Sequence, residues 1–337
     1  MTTNQNYIIT RLTALWALNE CGLGGFMHAL GSPFTGILVG GISILLITLI
    51  ASNSSNIKNS IVKALCIVLL VKLTVSPHSP VTAYFAVSFQ AFLSIALYNL
   101  FSINKVTILC LGMLTFFESA VQKILTLTII YGKSLWLAID TYLDWITSSF
   151  NITSFKVSST FLAINYISFY IFTGLMTGFI IIKIIKSIDM IDTIKIDFNS
   201  IDNATQSKNG SQSRNSIKLA KFWLITILII LLPLLLFGGN QFGWKAGLYV
   251  VARSLLIIGL WYLLLAPIIM KGINIFLGKR ETKYKAEIDV ILKLLPHLKS
   301  IISYAWKESK SLKGINRVQS FLAKSIVYSI HFNPSNH

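Results

Sequence analysis

Glu20 and His28 stand in the glycine-dense stretch Asn19-Glu20-Cys21-Gly22-Leu23-Gly24-Gly25-Phe26-Met27-His28, inside a segment that is otherwise apolar. An ionisable side chain in such surroundings is costly, so it faces either a hydrogen-bonding partner or a wet cavity. His28 lies near the outer end of the segment, where interface exposure and ligand contact are equally open. Eight residues of straight helix separate the two by about 12 Å along the axis, too far to grip one metal ion. A second group is Glu118, Gln122 and Lys123. Glu118 and Gln122 are four apart and share a helix face, whereas Lys123 suits a partner on another helix, with Glu20 as the candidate. Lys72, His78 and Gln90 frame the break Ser76-Pro77-His78-Ser79-Pro80, an expected external mouth whose prolines also serve to end helices. The substrate-binding or pathway candidates are therefore Glu20, His28, His78, Gln90, Glu118, Gln122 and Lys123.

None of this spacing builds a catalytic centre. The chain has no phosphate-cradling glycine loop followed by Lys-Ser/Thr, no HExxH, no nucleophile elbow and no acidic metal pair. An enzyme, a metal site and a cofactor are accordingly not expected. Cys21, Cys66 and Cys110 are isolated within apolar segments and read as small buried hydrophobes rather than as zinc ligands or a disulfide framework.

The elements that must hold these residues follow from composition. Of 337 residues 54% are apolar and only 12% charged, against about a quarter charged in soluble domains, and mean hydropathy is +0.70. A soluble fold could not hide that much apolar surface. A bilayer core of about 30 Å takes about 20 apolar residues of helix. That ruler predicts an all-α, polytopic helical membrane bundle of about eight spans, near residues 8–30, 34–51, 60–75, from after Pro80 to 101, from after the Lys105 loop to 131, 160–185, 222–237 and 246–270. Between Gly132 and Lys156 an amphipathic helix carrying Trp136, Tyr142 and Trp145 is expected along an interface. The expected divisions are a six-span domain over 1–186, a flexible polar linker over 187–220, a two-span segment over 221–272 and basic amphipathic helices over 273–337.

The net charge of +17 is arranged in short loops and in the C-terminal tail, not in a nucleic-acid footprint. With the N-terminus inside, Lys58, Lys105, the linker and the tail fall on the cytoplasmic side. A multi-pass protein of the cell inner (cytoplasmic) membrane with both termini cytoplasmic is expected, unprocessed at its N-terminus. Its tail carries two apolar stripes, one over Ile288, Ile291, Leu292, Leu295, Leu298, Ile301, Ile302 and Ala305, the other over Ile315, Val318, Leu322, Ile326 and Ile330. Basic residues flank both, which suits an anionic leaflet or a cytosolic partner. Pro296 is expected to kink the first. Gly25-x-x-x-Ala29 and Gly36-x-x-x-Gly40 let helix backbones approach closely, within the chain or against another subunit.

This layout resembles the membrane subunits of energy-coupling-factor transporters, in which a six-span substrate-binding component meets a transmembrane component whose cytoplasmic helices dock on two ATPase subunits. The N-terminal block is similar to the substrate-binding component, and the resemblance implies subunit docking through Ala14, Ala17, Gly22, Gly25 and Ala29. Ala252-Arg253-Ser254-Leu255-Leu256, Leu294-Leu295-Pro296-His297-Leu298 and Ala305 to Gly314 resemble the end of the transmembrane component. There the resemblance implies coupling residues at Arg253, Pro296, Lys313, Gly314 and Arg317, with Leu312-Lys313-Gly314 standing where the family has Ala-Arg-Gly. The expectation is a membrane subunit of an ATP-driven small-molecule uptake transporter. Its partners would be the bilayer, cytosolic ATPase subunits, another membrane subunit and a small-molecule substrate, with no nucleic acid. The alternative is a non-transporting membrane scaffold or assembly factor that binds another membrane protein and anionic lipid.

Overall fold

The computed structural model describes residues 3–29, 35–76, 79–150, 158–188 and 243–332. Every regular element among them is helical. The first helix runs as α1 (Thr3–Leu18), a π-helical segment (Asn19–Leu23) and α2 (Gly24–Ala29). It is followed by α3 (Thr35–Ser52), α4 (Ile57–Val75), α5 (Val81–Phe101), α6 (Lys105–Tyr131), α7 (Lys133–Ser149) and α8 (Ser159–Ile188). Then come α9 (Gly243–Leu260), a second π segment (Trp261–Leu265), α10 (Ala266–Glu308) and α11 (Gly314–His331).

Local polar chemistry sets several of the starts. Asn56 caps α4 by accepting from the Asn59 N–H at 3.0 Å. At α6 the exchange is reciprocal: the Asn104 carboxamide oxygen accepts from the Thr107 N–H at 2.9 Å, and Thr107 Oγ1 accepts from the Asn104 N–H at 3.0 Å. These bonds satisfy amides that would otherwise be orphaned at the helix ends.

By its contacts the chain divides into two compact units, the first made of the described residues of Met1–Ala120, Ile167–Thr205 and Ile269–His337. Its core is α1, α3 and α4, where Leu12, Trp16, Ile44, Ile47, Ile61 and Val68 are fully buried. In hydrocarbon there is no hydrophobic drive between helices, so close packing and interhelical hydrogen bonds must hold them. α6 and α8 approach closely through two glycines. A Cβ on Gly112 would lie 2.5 Å from the Gly174 carbonyl oxygen, and one on Gly174 2.5 Å from that of Gly112, so both positions require glycine.

Among the described residues four helices are long and apolar enough to cross a membrane: Val81–Phe101, Lys105–Tyr131, Ser159–Ile188 and Val251–Gly278. Gly36–Ser52 is apolar but shorter. A helical membrane bundle is therefore the coarse architecture, and four of the about eight expected spans meet this measure among the described residues. Two of the core helices fall short of it for a physical reason. The first helix carries Arg11, Asn19 and Glu20, and α4 carries Lys58, Lys63 and Lys72, so neither offers an uninterrupted apolar run. The expected span at 222–237, the linker beyond residue 188 and His78 lie outside the described residues.

The second unit comprises the described residues of Val121–Tyr166 and Gln206–Ile268. The expected amphipathic helix is present as α7, whose Tyr142 and Trp145 are exposed and stacked on each other at 6.0 Å. Trp136 instead donates its indole N–H to Thr128 Oγ1 at 3.2 Å. Asp140 accepts from the Ser159 N–H at 2.6 Å, so α7 places a carboxylate on the N-terminus of α8. Gly132, with φ +69°, makes the turn from α6 to α7. The Arg253 guanidinium lies against it where any side chain would stand.

The tail is a hairpin. Its first arm is continuous with the last candidate span: α10 runs 43 residues and passes through Pro296, which sits on the exposed side of the helix. Ile288, Ile291, Leu294, Leu298, Ile301 and Ala305 are buried. Leu294 thus replaces the expected Leu295 in the stripe, because a three-and-four alternation matches 3.6 residues per turn. The arms are tied by Lys324 to Glu308 at 3.0 Å and by the Tyr328 hydroxyl, which donates to the same carboxylate. Burial, with the Glu308 carboxylate second, pushes the Tyr328 phenol above its usual range. The hairpin meets one end of the first unit. Tyr7 of α1 donates to the Phe332 carbonyl at 3.0 Å, Lys63 of α4 pairs with Glu287 at 2.7 Å, and Gln319 donates to Ser187 of α8 at 2.6 Å.

Candidate functional site

Glu20 is presented by the π segment. There the Gly24 N–H reaches back five residues to the Asn19 carbonyl, which widens the turn. The wider turn keeps Asn19, Glu20 and Cys21 buried together. Asn19 Nδ2 donates at 2.9 Å to both the Val39 carbonyl and Ser43 Oγ of α3. Ser43 donates onward to Glu20 Oε1 at 2.7 Å, and Lys72 Nζ of α4 donates to Glu20 Oε2 at 2.8 Å. The Lys72 and Glu20 side chains are only 1% and 3% exposed. Lys72 also stands 5.7 Å from the centre of the Tyr84 ring of α5. Four helices thus surround one ion pair.

The partner expected for Glu20 was Lys123. The structure corrects this to Lys72, because α4 is a core neighbour of the first helix whereas Lys123 is exposed on α6 in the second unit. The signal was present in the sequence: a lone lysine in one apolar segment and a lone glutamate in another are each too costly unpaired. Ser43, Asn19 and Tyr84 carried no such signal, since hydroxyls and amides in apolar helices are common.

The second carboxylate is different. Glu118 lies at the middle of α6, and both its oxygens are buried with no hydrogen-bond partner among the described residues. Thr115, one turn earlier and fully buried, has an unpartnered Oγ1 of the same kind. Gln90 of α5 is 4% exposed, and its Oε1 is also without a partner among the described residues. Its amide and the Phe116 ring of α6 meet the same point of α3: a Cβ on Gly40 would lie 3.2 Å from Gln90 Nε2 and 3.6 Å from the Phe116 ring. A Cβ on Gly36 would meet Ser119 Oγ at 3.3 Å. The Gly36-x-x-x-Gly40 face of α3 therefore serves contact within the chain, with α5 and α6.

The remaining expected site residues scatter. His28 and Ala29 fall in α2, with side chains outside the described residues. Gln122 lies one turn beyond Glu118 on α6, past the boundary between the units. Ala14 and Ala17, expected to dock another subunit, are fully buried inside the bundle, where their small size admits neighbouring helices of the same chain. Gly22 is exposed and Gly25 half-buried, the latter beside Ser76. Of the expected coupling residues, Lys313 is exposed in the extended residue before α11, and Gly314, at φ +57°, completes the turn. Arg317 lies over the Trp306 ring at 4.1 Å. Pro296 and these three belong to the first unit, whereas Arg253 belongs to the second. No family model, curated protein or solved structure matches the chain, so its functional reading rests on the residues alone.

Proposed function

We propose that this chain is the membrane subunit of a small-molecule transporter, working as an uptake system with separate cytosolic ATPase subunits. The observation that carries the reading is the polar interior of an apolar bundle: the Glu20–Lys72 pair with Ser43 and Asn19, beside the unpartnered oxygens of Gln90, Thr115 and Glu118. Ionisable groups kept inside membrane helices mark substrate or ion pathways. The hairpin supports the coupling part. It joins the starts of α1 and α4 to the end of α8, three ends that alternate crossing would place on one side. At its tip Leu312, Ile315 and Val318 are exposed among Lys310, Lys313 and Arg317, a surface suited to a cytosolic partner.

Thermal unfolding of the detergent-solubilised chain against a panel of vitamins, metal chelates and amphiphiles tests the reading. A transported solute at 100 times its dissociation constant adds about 2.7 kcal/mol. Lys313→Glu is expected to release a co-purifying ATPase and to abolish uptake while leaving the melting temperature unchanged. A chain that no solute stabilises and that retains no ATPase would sink the proposal.

A second reading, a non-transporting scaffold, draws on the completeness of the Glu20–Lys72 pair, which needs no ligand to satisfy it. Co-purification of another membrane protein without any ATPase would favour it.

A further inference from the structure

We propose that Glu118, together with the Thr115 hydroxyl and the Gln90 carboxamide oxygen, forms a membrane-embedded binding site for a small monovalent cation, a sodium ion or a proton. A carboxylate inside hydrocarbon is too costly to leave charged and alone. Glu20 meets this demand with Lys72; Glu118 has no protein partner among the described residues.

The helices around it supply no counter-charge. The described residues of α3 contain no titratable group, and those of α5 contain only Tyr84 and Tyr98, the latter hydrogen-bonded to Thr48 at 2.6 Å. On α8 the basic residues are Lys183 and Lys186, five or more positions beyond the Gly178 crossing with α6. On α6 itself Lys105 starts the helix, Cys110 lies two turns before Glu118 and Lys123 is exposed. What these helices offer is oxygen, two atoms from Glu118, one from Thr115 a turn earlier and one from Gln90, whose amide meets Gly40 where the Phe116 ring of α6 does, all buried and unpartnered among the described residues. A set of hard oxygen donors with a single negative charge suits a small cation of charge +1. A divalent ion would leave charge uncompensated, and no cluster of three or more His, Cys, Asp or Glu side chains exists among the described residues to balance it.

The inference does not depend on transport, since a cation held here would serve a scaffold equally, and its test needs no uptake assay. The full-length protein in lipid nanodiscs is treated with dicyclohexylcarbodiimide, which modifies protonated carboxyl groups in apolar surroundings, and modified peptides are quantified by mass spectrometry. Glu118 is expected to be labelled and the paired Glu20 spared. Suppression by NaCl but not by choline chloride at fixed pH identifies sodium. Suppression by rising pH alone identifies the proton. Thr115→Val and Gln90→Leu are each expected to move the half-suppression point about tenfold, the effect of one ligand. Absence of label on Glu118 at every pH, label that responds to neither sodium nor pH, or an unmoved half-suppression point in both variants would overturn the site. Because the primary readout uses the unmutated chain, a variant that fails to fold does not rescue the proposal. Solute stabilisation reads the transport proposal separately.

Discussion

Two glutamates sit in apolar helices of the same unit, and the protein treats them in opposite ways. Around Glu20 four helices converge, and the carboxylate receives a hydroxyl from Ser43 and an ammonium from Lys72, with the helix itself widened into a π turn. Glu118 lies one helical turn beyond Thr115 on α6, and neither of its oxygens is bonded among the described residues. In the first arrangement both carboxylate oxygens have protein partners, although Asn19 Oδ1 and the Tyr84 hydroxyl beside the pair have none among the described residues. The second is incomplete, and an incomplete buried polar site costs free energy that a stable fold retains only for a reason. Structural and binding carboxylates can thus share one bundle and be told apart by their partners.

The contrast is sharpest where a partner is removed. Lys72→Met strands the Glu20 carboxylate, and thermal unfolding in detergent should show a loss of about 3–5 kcal/mol. Glu20→Gln with Lys72→Met should recover most of it, because neither charge is then left alone. A single mutant as stable as the parent would show that the pair contributes nothing. A smaller effect is expected at the α6–α8 crossing. Gly174→Leu must push the Gly112 backbone away, at about 1–3 kcal/mol, and should change carbodiimide labelling of Glu118 while leaving the Lys72–Glu20 coupling energy intact. Unchanged labelling there would mean that the two regions are not separable in this way. The smallest effect belongs to Glu118→Gln. With no partner to strand among the described residues, its melting temperature in sodium-free buffer should correspond to a change below about 1 kcal/mol. A loss as large as that of Lys72→Met would give Glu118 a structural role after all.

Much of the helical layout was legible in the apolar runs: α5, α6 and α8 stand close to the spans read from hydropathy, and α7 where the Trp-rich amphipathic pattern put it. The reading was less complete where residues far apart decide the outcome. Eight spans were expected because segments such as those around Glu20 and Lys72 are apolar on average. Those segments are buried around a polar pair, and among the described residues four helices meet the length and apolarity of a crossing. Ala14 and Ala17 showed their smallness but not which helix they admit. Pro296 lies on the exposed face of a helix that continues past it.

What the chain's residues determined by themselves is the class: helices, because each peptide group in an apolar stretch must find its partner within the same segment. They also determined that Glu20, Lys72 and Glu118 are exceptional, because charge in such a stretch is expensive wherever it lies. Which of them are neighbours was decided only by the tertiary structure. Residues 20 and 72 are joined by packing of the first helix on α4, and no local periodicity carries the sign or distance of a contact made across 52 residues.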